Sequence, residues 1–174
     1  RMYVKFIGSL CFVGITSTIG VLKAEDLVIR VKRMQELKRM IGLLQGELRF
    51  HRAALSESFE NVAERMSTPF SEFLLLTAKS MESRSEGNFE EIWEKNSTKL
   101  LLEKGFSKED EQIFSLLKNG LGHLDLKMQT ETLNLALLHT EEMIEAAKEE
   151  QKIKGKLYRT MGVTTGALLA LLVI

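Results

Sequence analysis

The chain has 174 residues, and its 24 Lys and Arg are balanced by 24 Asp and Glu. A net charge of zero speaks against a nucleic-acid-binding surface of the usual basic kind, and Cys11, the single cysteine, excludes an intramolecular disulfide or a cysteine-built metal site. One proline and 7% aromatic residues favour an all-helical chain.

The first feature is apolar. Phe6 to Leu22 carries no charge over 17 residues. Tyr3 and Val4 extend it to about 20, which at about 1.5 Å per residue matches the roughly 30 Å core of a bilayer. Lys5 can snorkel to the interface. The expectation is a transmembrane helix over 3–22. A secretory signal peptide is the alternative. It needs cleavage after Leu22-Lys23-Ala24, a poor site, or after Thr18-Ile19-Gly20, a fair one.

From Asp26 onward apolar residues fall seven apart, at Leu27, Met34, Ile41, Leu48 and Leu55, with a second row at Leu37 and Leu44. This heptad seam predicts a long helix running on from the first span. Gly42 and Gly46 each weaken it by roughly 1 kcal/mol. The seam can pack inside the chain's own bundle or zip two copies into a coiled coil.

Four short helices are expected next. Ser56 is placed to cap one carrying Phe59, Val62, Ala63 and Met66. Pro69 suits the first turn of a second, with Phe70, Phe73, Leu74 and Thr77 on one face. Asn88, with Glu91 three residues on, resembles a capping box and opens a third around Phe89, Ile92, Trp93 and Leu100, stopped by Gly105. Ser107 to Asp110 opens the fourth in the same way, with Ile113, Phe114, Leu117 and Leu121 inward and Gly120 and Gly122 at its end.

Asp125 is placed to cap the last helix. That helix has an apolar stripe at Leu126, Leu133, Leu137, Ile144 and Ala147 and a charged face with Glu141, Glu142, Glu145, Lys148, Glu149, Glu150 and Lys152. Thr160 to Ile174 is again uncharged, over 15 residues. This is short for a span, though Leu157 and Tyr158 add a turn and the chain can continue past Ile174. A buried core helix is the alternative. Gly162 and Gly166 make a small-residue strip that Gly14 and Thr18 could meet if the two spans pack together.

The expected fold is therefore all-α: a compact bundle of six helices over 23–159, between transmembrane helices at 3–22 and 160–174. Lys23, Arg30, Lys32, Arg33, Lys38 and Arg39 follow the first span, and Lys148, Lys152, Lys154, Lys156 and Arg159 precede the second. By the positive-inside rule the bundle lies in the cytoplasm. The same cations could instead touch anionic lipid headgroups.

No constellation for chemistry stands out. His51, His123 and His139 lack the partners of an HExxH motif, and no phosphate-binding GxxxxGK[ST] occurs. His139 and Glu142 lie one turn apart, a spacing that arises easily on a charged face. Glu90-Glu91 and Glu149-Glu150 are adjacent in sequence and point in different directions. No catalytic, cofactor or metal site is expected, so an enzyme is the least favoured reading.

Leu121-Gly122-x-x-Asp125-x-x-x-Gln129, followed by a long charged helix and an apolar end, resembles the stage III sporulation protein AB family. So do Glu47-Leu48-Arg49-Phe50, Leu55-Ser56-Glu57-Ser58-Phe59 and the place of Trp93. Ala54 stands where the family usually has Pro, and Ser58 where it usually has Ala. The resemblance implies a protein of spore-forming Firmicutes in the mother-cell membrane during engulfment, similar to the F-type platform proteins of type II secretion and type IV pilus systems. It further implies a secretion-type ATPase partner, stage III sporulation protein AA, among other stage III sporulation complex proteins. The site expected to bind partners is Leu121, Gly122, Asp125 and Gln129. A self-assembling scaffold, homo-oligomeric through the Leu27–Leu55 seam, is the second functional reading.

Overall fold

The computed structural model describes the backbone of residues 2–51, 54–83, 87–103, 105–123 and 125–173. Within these, side chains are described except at 2–21, 51, 159, 162, 163 and 165–173. The elements are α1 (Met2–Gly46), a π-helical turn (Glu47–His51), α2 (Leu55–Ala63), α3 (Phe70–Glu82), α4 (Phe89–Leu101), α5 (Asp110–Leu121) and α6 (Leu126–Val173). No strand occurs among the described residues, so the all-α expectation of six helices holds. The chain divides into two compact units, 32–144 and 1–31 with 145–174.

The core of the 32–144 unit is built on α1. Met34, Leu37, Ile41, Leu44 and Leu48 of the predicted seam are buried, and Met40 joins them. Leu27 and Leu55, at the two ends of the seam, are half-buried. Burying Met40 beside Ile41 widens the stripe beyond two positions per heptad, as suits a helix facing a globular core. These side chains pack within their own unit, against Leu133, Ala136 and Ile144 of α6 and the apolar faces of α2 to α5. They are not available to zip two copies together, which removes the seam from the self-assembly reading. Lys38 closes the α1–α6 pair from outside with an ion pair to Glu141 at 2.8 Å.

Helices α2 to α5 meet around Trp93, which is 1% exposed. Its indole N–H donates to the carbonyl of Phe114 at 2.9 Å. Phe73 sits edge-on at 5.0 Å, and Phe89 and Phe59 lie at 5.7 and 5.9 Å. Such pairs add about 0.5–1.5 kcal/mol each beyond area burial. Asn96 donates to the Thr77 hydroxyl at 3.3 Å, and that hydroxyl donates to the Phe73 carbonyl at 2.7 Å, so the polar pair in this core is satisfied.

The helix boundaries follow local chemistry. Asn88 accepts from the Glu91 N–H at 2.9 Å, as predicted. Asp110 accepts from the Ser107 N–H at 2.8 Å, so the acid reaches back as in a capping box, but α5 begins at Asp110 behind Glu109 and Ser107 does not cap it. Asp125 accepts from the Lys127 N–H at 3.1 Å and caps α6. Three expectations need correction. The first helix does not run regularly to Leu55. It loosens into the π-helical turn after Gly46, where the buried Glu47 carboxylate draws in Asn61 and Arg65 of the α2 segment at 3.3 and 3.2 Å. Ser56 does not cap α2, which begins one residue earlier behind Ala54 with no side-chain cap. Pro69 lies at the cap position just before α3.

On α6, Leu133, Ile144 and Ala147 are buried as expected, with Ala136 and Thr140 beside them. Leu126, in the first turn, is 36% exposed. Among the described residues no helix is long and apolar enough to cross a membrane. The apolar ends at 3–22 and 160–173 belong to α1 and α6 by backbone. Their side chains lie largely outside the described residues, and so does any packing at Gly14, Thr18, Gly162 and Gly166.

Candidate functional site

The four residues singled out by the sequence do come together, at the connection between α5 and α6. Leu121 is buried, at 1% exposure, and ends α5 in the core. Gly122 follows as the C-cap with φ −67°, an ordinary right-handed conformation, so no left-handed turn demands glycine there. A Cβ at Gly122 would meet the Phe89 ring at 3.2 Å, a tight but not prohibitive approach. Asp125 is spent on the α6 N-terminus. Gln129, one turn into α6, donates its amide to the carbonyls of Leu121 and His123 at 2.9 and 2.7 Å.

Those carbonyls are among the orphan acceptors that every helix end leaves behind. The constellation is therefore a clasp: one side chain caps the incoming helix and another closes the outgoing one. Gly120 lies just before it. A Cβ there would overlap the Thr132 side chain, so α5 and α6 approach as closely as they do only because residue 120 is glycine. Gly122 and Asp125 remain exposed at the surface.

An accessible surface lies next to the clasp, on the outer face of α6. Met128, Leu135 and Leu138 are 45%, 49% and 60% exposed. Their spacings of seven and three place them on one stripe. The same stripe carries the exposed Glu131 and Glu142. Read from sequence, this side of α6 is a charged face, and the three apolar residues escape notice. Their spacing is visible, but a helix with two apolar stripes shows periodicity for whichever is longer.

A second depression, of about 330 Å³, lies between α4 and α5 and is bridged by the Lys118–Glu94 ion pair at 3.0 Å. Glu111 lines it as well, so its lining carries two carboxylates against one ammonium. Among the described residues no three His, Cys, Asp or Glu side chains gather as a metal site requires. His139 and Glu142 are both exposed on α6. Lys154 has its pKa raised, chiefly by a 2.6 Å hydrogen bond to Glu150 and that carboxylate's charge.

The model of the family described as stage III sporulation protein AB matches residues 5–174. The stage III sporulation protein AB of Bacillus subtilis (strain 168) is 22% identical over 168 residues, spanning 97% of this chain and 98% of its own length. A solved structure of a stage III sporulation protein AB has a TM-score of 0.65 at 19% identity, covering 72% of this chain and 98% of that one. At that identity the structural likeness speaks for the fold. The match along nearly the whole length speaks for the lineage: the chain belongs to the stage III sporulation protein AB family.

Proposed function

We propose that this chain is a non-catalytic membrane platform of a sporulation-specific, secretion-like transenvelope complex. In this reading 3–22 and 160–174 span the mother-cell membrane facing the forespore, and the bundle lies in the cytoplasm. The bundle docks the secretion-type ATPase, stage III sporulation protein AA, and couples it to the channel between mother cell and forespore. Other stage III sporulation complex proteins and further copies of this chain complete the assembly.

The observation that carries this reading is the course of the two longest helices. Each runs unbroken from the buried core into an uncharged end, α1 from Phe6 to Leu22 and α6 from Thr160 to Val173. Basic residues crowd the bundle side of both ends. A push on the bundle needs helices of this kind to reach the bilayer. Membership of a family named for a sporulation stage supports the setting. The clasp, Asp125 included, is occupied with holding α5 to α6, so the docking surface in this proposal is the α6 stripe of Met128, Leu135 and Leu138.

Topology is the test. Cys11→Ser removes the native thiol, and Glu60→Cys puts one at an exposed position of α2. A membrane-impermeant thiol reagent applied to intact cells should leave the introduced thiol unlabelled until lysis. Labelling in intact cells would put the bundle outside, beyond the reach of any cytoplasmic ATPase, and end the platform reading.

A further inference from the structure

In the unit formed by residues 1–31 and 145–174, α1 and α6 leave a cleft of about 490 Å³ between them. Ala24 and Val28 of α1 form one wall. Lys148, Lys152, Gly155 and Lys156 of α6 form the other. The three lysines are four residues apart and so lie on one stripe. No carboxylate lines the cleft.

Carboxylates are plentiful on α6, yet they are directed elsewhere. Lys154, outside the cleft, takes Glu150 at 2.6 Å, and Lys148 has a longer pair with Glu145 at 3.5 Å. Lys152 and Lys156 form no ion pair or side-chain hydrogen bond with any described residue. Gly155 lies between them. A Cβ there would meet nothing within 4 Å, so the packing has no use for a residue that disfavours helix. What its missing side chain does supply is room beside two uncommitted ammonium groups.

The surroundings are apolar. Val28, Ile153, Leu157 and Met161 are all about half exposed or more. Thr160, at the end of the cleft, opens the uncharged C-terminal stretch, and Ala24 follows closely on the uncharged Phe6–Leu22. Cations, exposed apolar side chains and the start of two uncharged stretches together match the chemistry of a phospholipid at the bilayer surface.

We propose that this cleft is a binding site for the phosphate of an anionic phospholipid headgroup, held by Lys152 and Lys156 and admitted by Gly155. The site rests on the membrane reading above, and gives the membrane a specific lipid contact where that reading requires only a hydrophobic core. The chemistry recognised is phosphate, so a free phosphate is the competing source.

The test uses the full chain purified in a neutral detergent, titrated with short-chain phosphatidylglycerol, short-chain phosphatidylcholine and inorganic phosphate. Lys152→Gln with Lys156→Gln should weaken phosphatidylglycerol binding, by about fivefold per lysine and roughly 25-fold for the pair. Gly155→Leu, which keeps every charge but fills the space, should weaken it as strongly. Lys154→Gln, with a charge change like that of either lysine variant but outside the cleft, should leave it unchanged. Phosphatidylcholine should bind weakly to all forms. Equal losses in Lys154→Gln, or none in Gly155→Leu, would reduce the effect to diffuse surface charge and overturn the site. Inorganic phosphate binding as tightly as phosphatidylglycerol would overturn the lipid assignment. Alkaline extraction of cell membranes separates the two levels: release of the chain refutes the membrane reading itself, whereas retention without headgroup preference refutes the cleft alone.

Discussion

The side-chain amide of Gln129 donates to the backbone carbonyl of Leu121 across the α5–α6 connection, at 2.9 Å. A second bond to His123 at 2.7 Å makes Gln129 the closure of α5. Gln129→Ala should therefore destabilise the bundle by about 1–2 kcal/mol, the loss of two hydrogen bonds. Gln129→Glu should do no better, since it turns acceptors toward two acceptors. Trp93, the only tryptophan and buried, reports the unfolding through its fluorescence in a denaturant titration. An unchanged midpoint would show that the clasp is ornamental.

Two glycines in helices should respond oppositely to alanine. At Gly120 an added methyl overlaps Thr132, and Gly120→Ala should cost about 3 kcal/mol, near the upper end for overpacking. Thr132→Ala should rescue it only in part, because the Thr132 Cβ is itself in the way. At Gly42 a Cβ meets nothing within 4 Å, so Gly42→Ala should stabilise by about 0.5–1 kcal/mol through helix propensity alone. A Gly120→Ala midpoint that fails to fall would refute the close α5–α6 approach.

Ser58 is fully buried, and its hydroxyl has no hydrogen-bond partner. An orphaned buried hydroxyl is unfavourable by about 1–3 kcal/mol. Ser58→Ala, the residue that the family resemblance places there, should leave the fold intact and raise stability by about 1 kcal/mol. A drop would mean that the hydroxyl finds a partner in solution.

Lys154 should keep its proton further into the alkaline range than an ordinary lysine, because Glu150 bonds it and adds an opposite charge. A raised folded pKa means that the ion pair contributes in full below the ordinary lysine value, down to the acid range where Glu150 takes up its proton. On the alkaline side the contribution fades as pH rises through the raised value. Glu150→Gln should bring the Lys154 titration, followed by NMR at its side chain, back toward the ordinary range. Identical titrations would show that the pair does not form in solution.

These variants also mark what could be read without a structure. The core stripe of α1 and the inward faces of α4 and α5 followed from periodicity, because Met34, Ile41, Ile113 and Leu117 repeat at helical spacing. The caps at Asn88 and Asp125, and the Ser107–Asp110 contact ahead of α5, follow from residue type, because each is a short-range contact. Gln129 was singled out, but its role was not legible. A bond from residue 129 to the carbonyl of 121 depends on how the chain turns back, which no local rule encodes. The π-helical turn after Gly46 was missed for a similar reason: Glu47 is drawn in by Arg65 and Asn61, many residues away in sequence. The Gly120–Thr132 approach has no one-dimensional signal at all, since glycine near a helix end reads first as a stop.

The α6 stripe supplies the sharpest functional test. Met128, Leu135 and Leu138 are too exposed to contribute much to the bundle, so Leu135→Gln with Leu138→Gln should change stability by no more than about 0.5 kcal/mol each. If the secretion-type ATPase docks there, the same pair should weaken its binding to the full chain by about 30-fold or more, the scale of an interface hot spot of about 2 kcal/mol. Leu102→Gln removes an even more exposed leucine, outside α6 and just beyond the end of α4, and should leave binding unchanged. Asp125→Ala and Gln129→Ala should reduce binding only as far as they loosen the clasp. Equal effects at Leu102 and at the stripe would mean nonspecific apolar adhesion. No effect at the stripe, with loss of binding in a still-folded Asp125→Ala protein, would return the docking surface to the α5–α6 connection where the sequence first placed it.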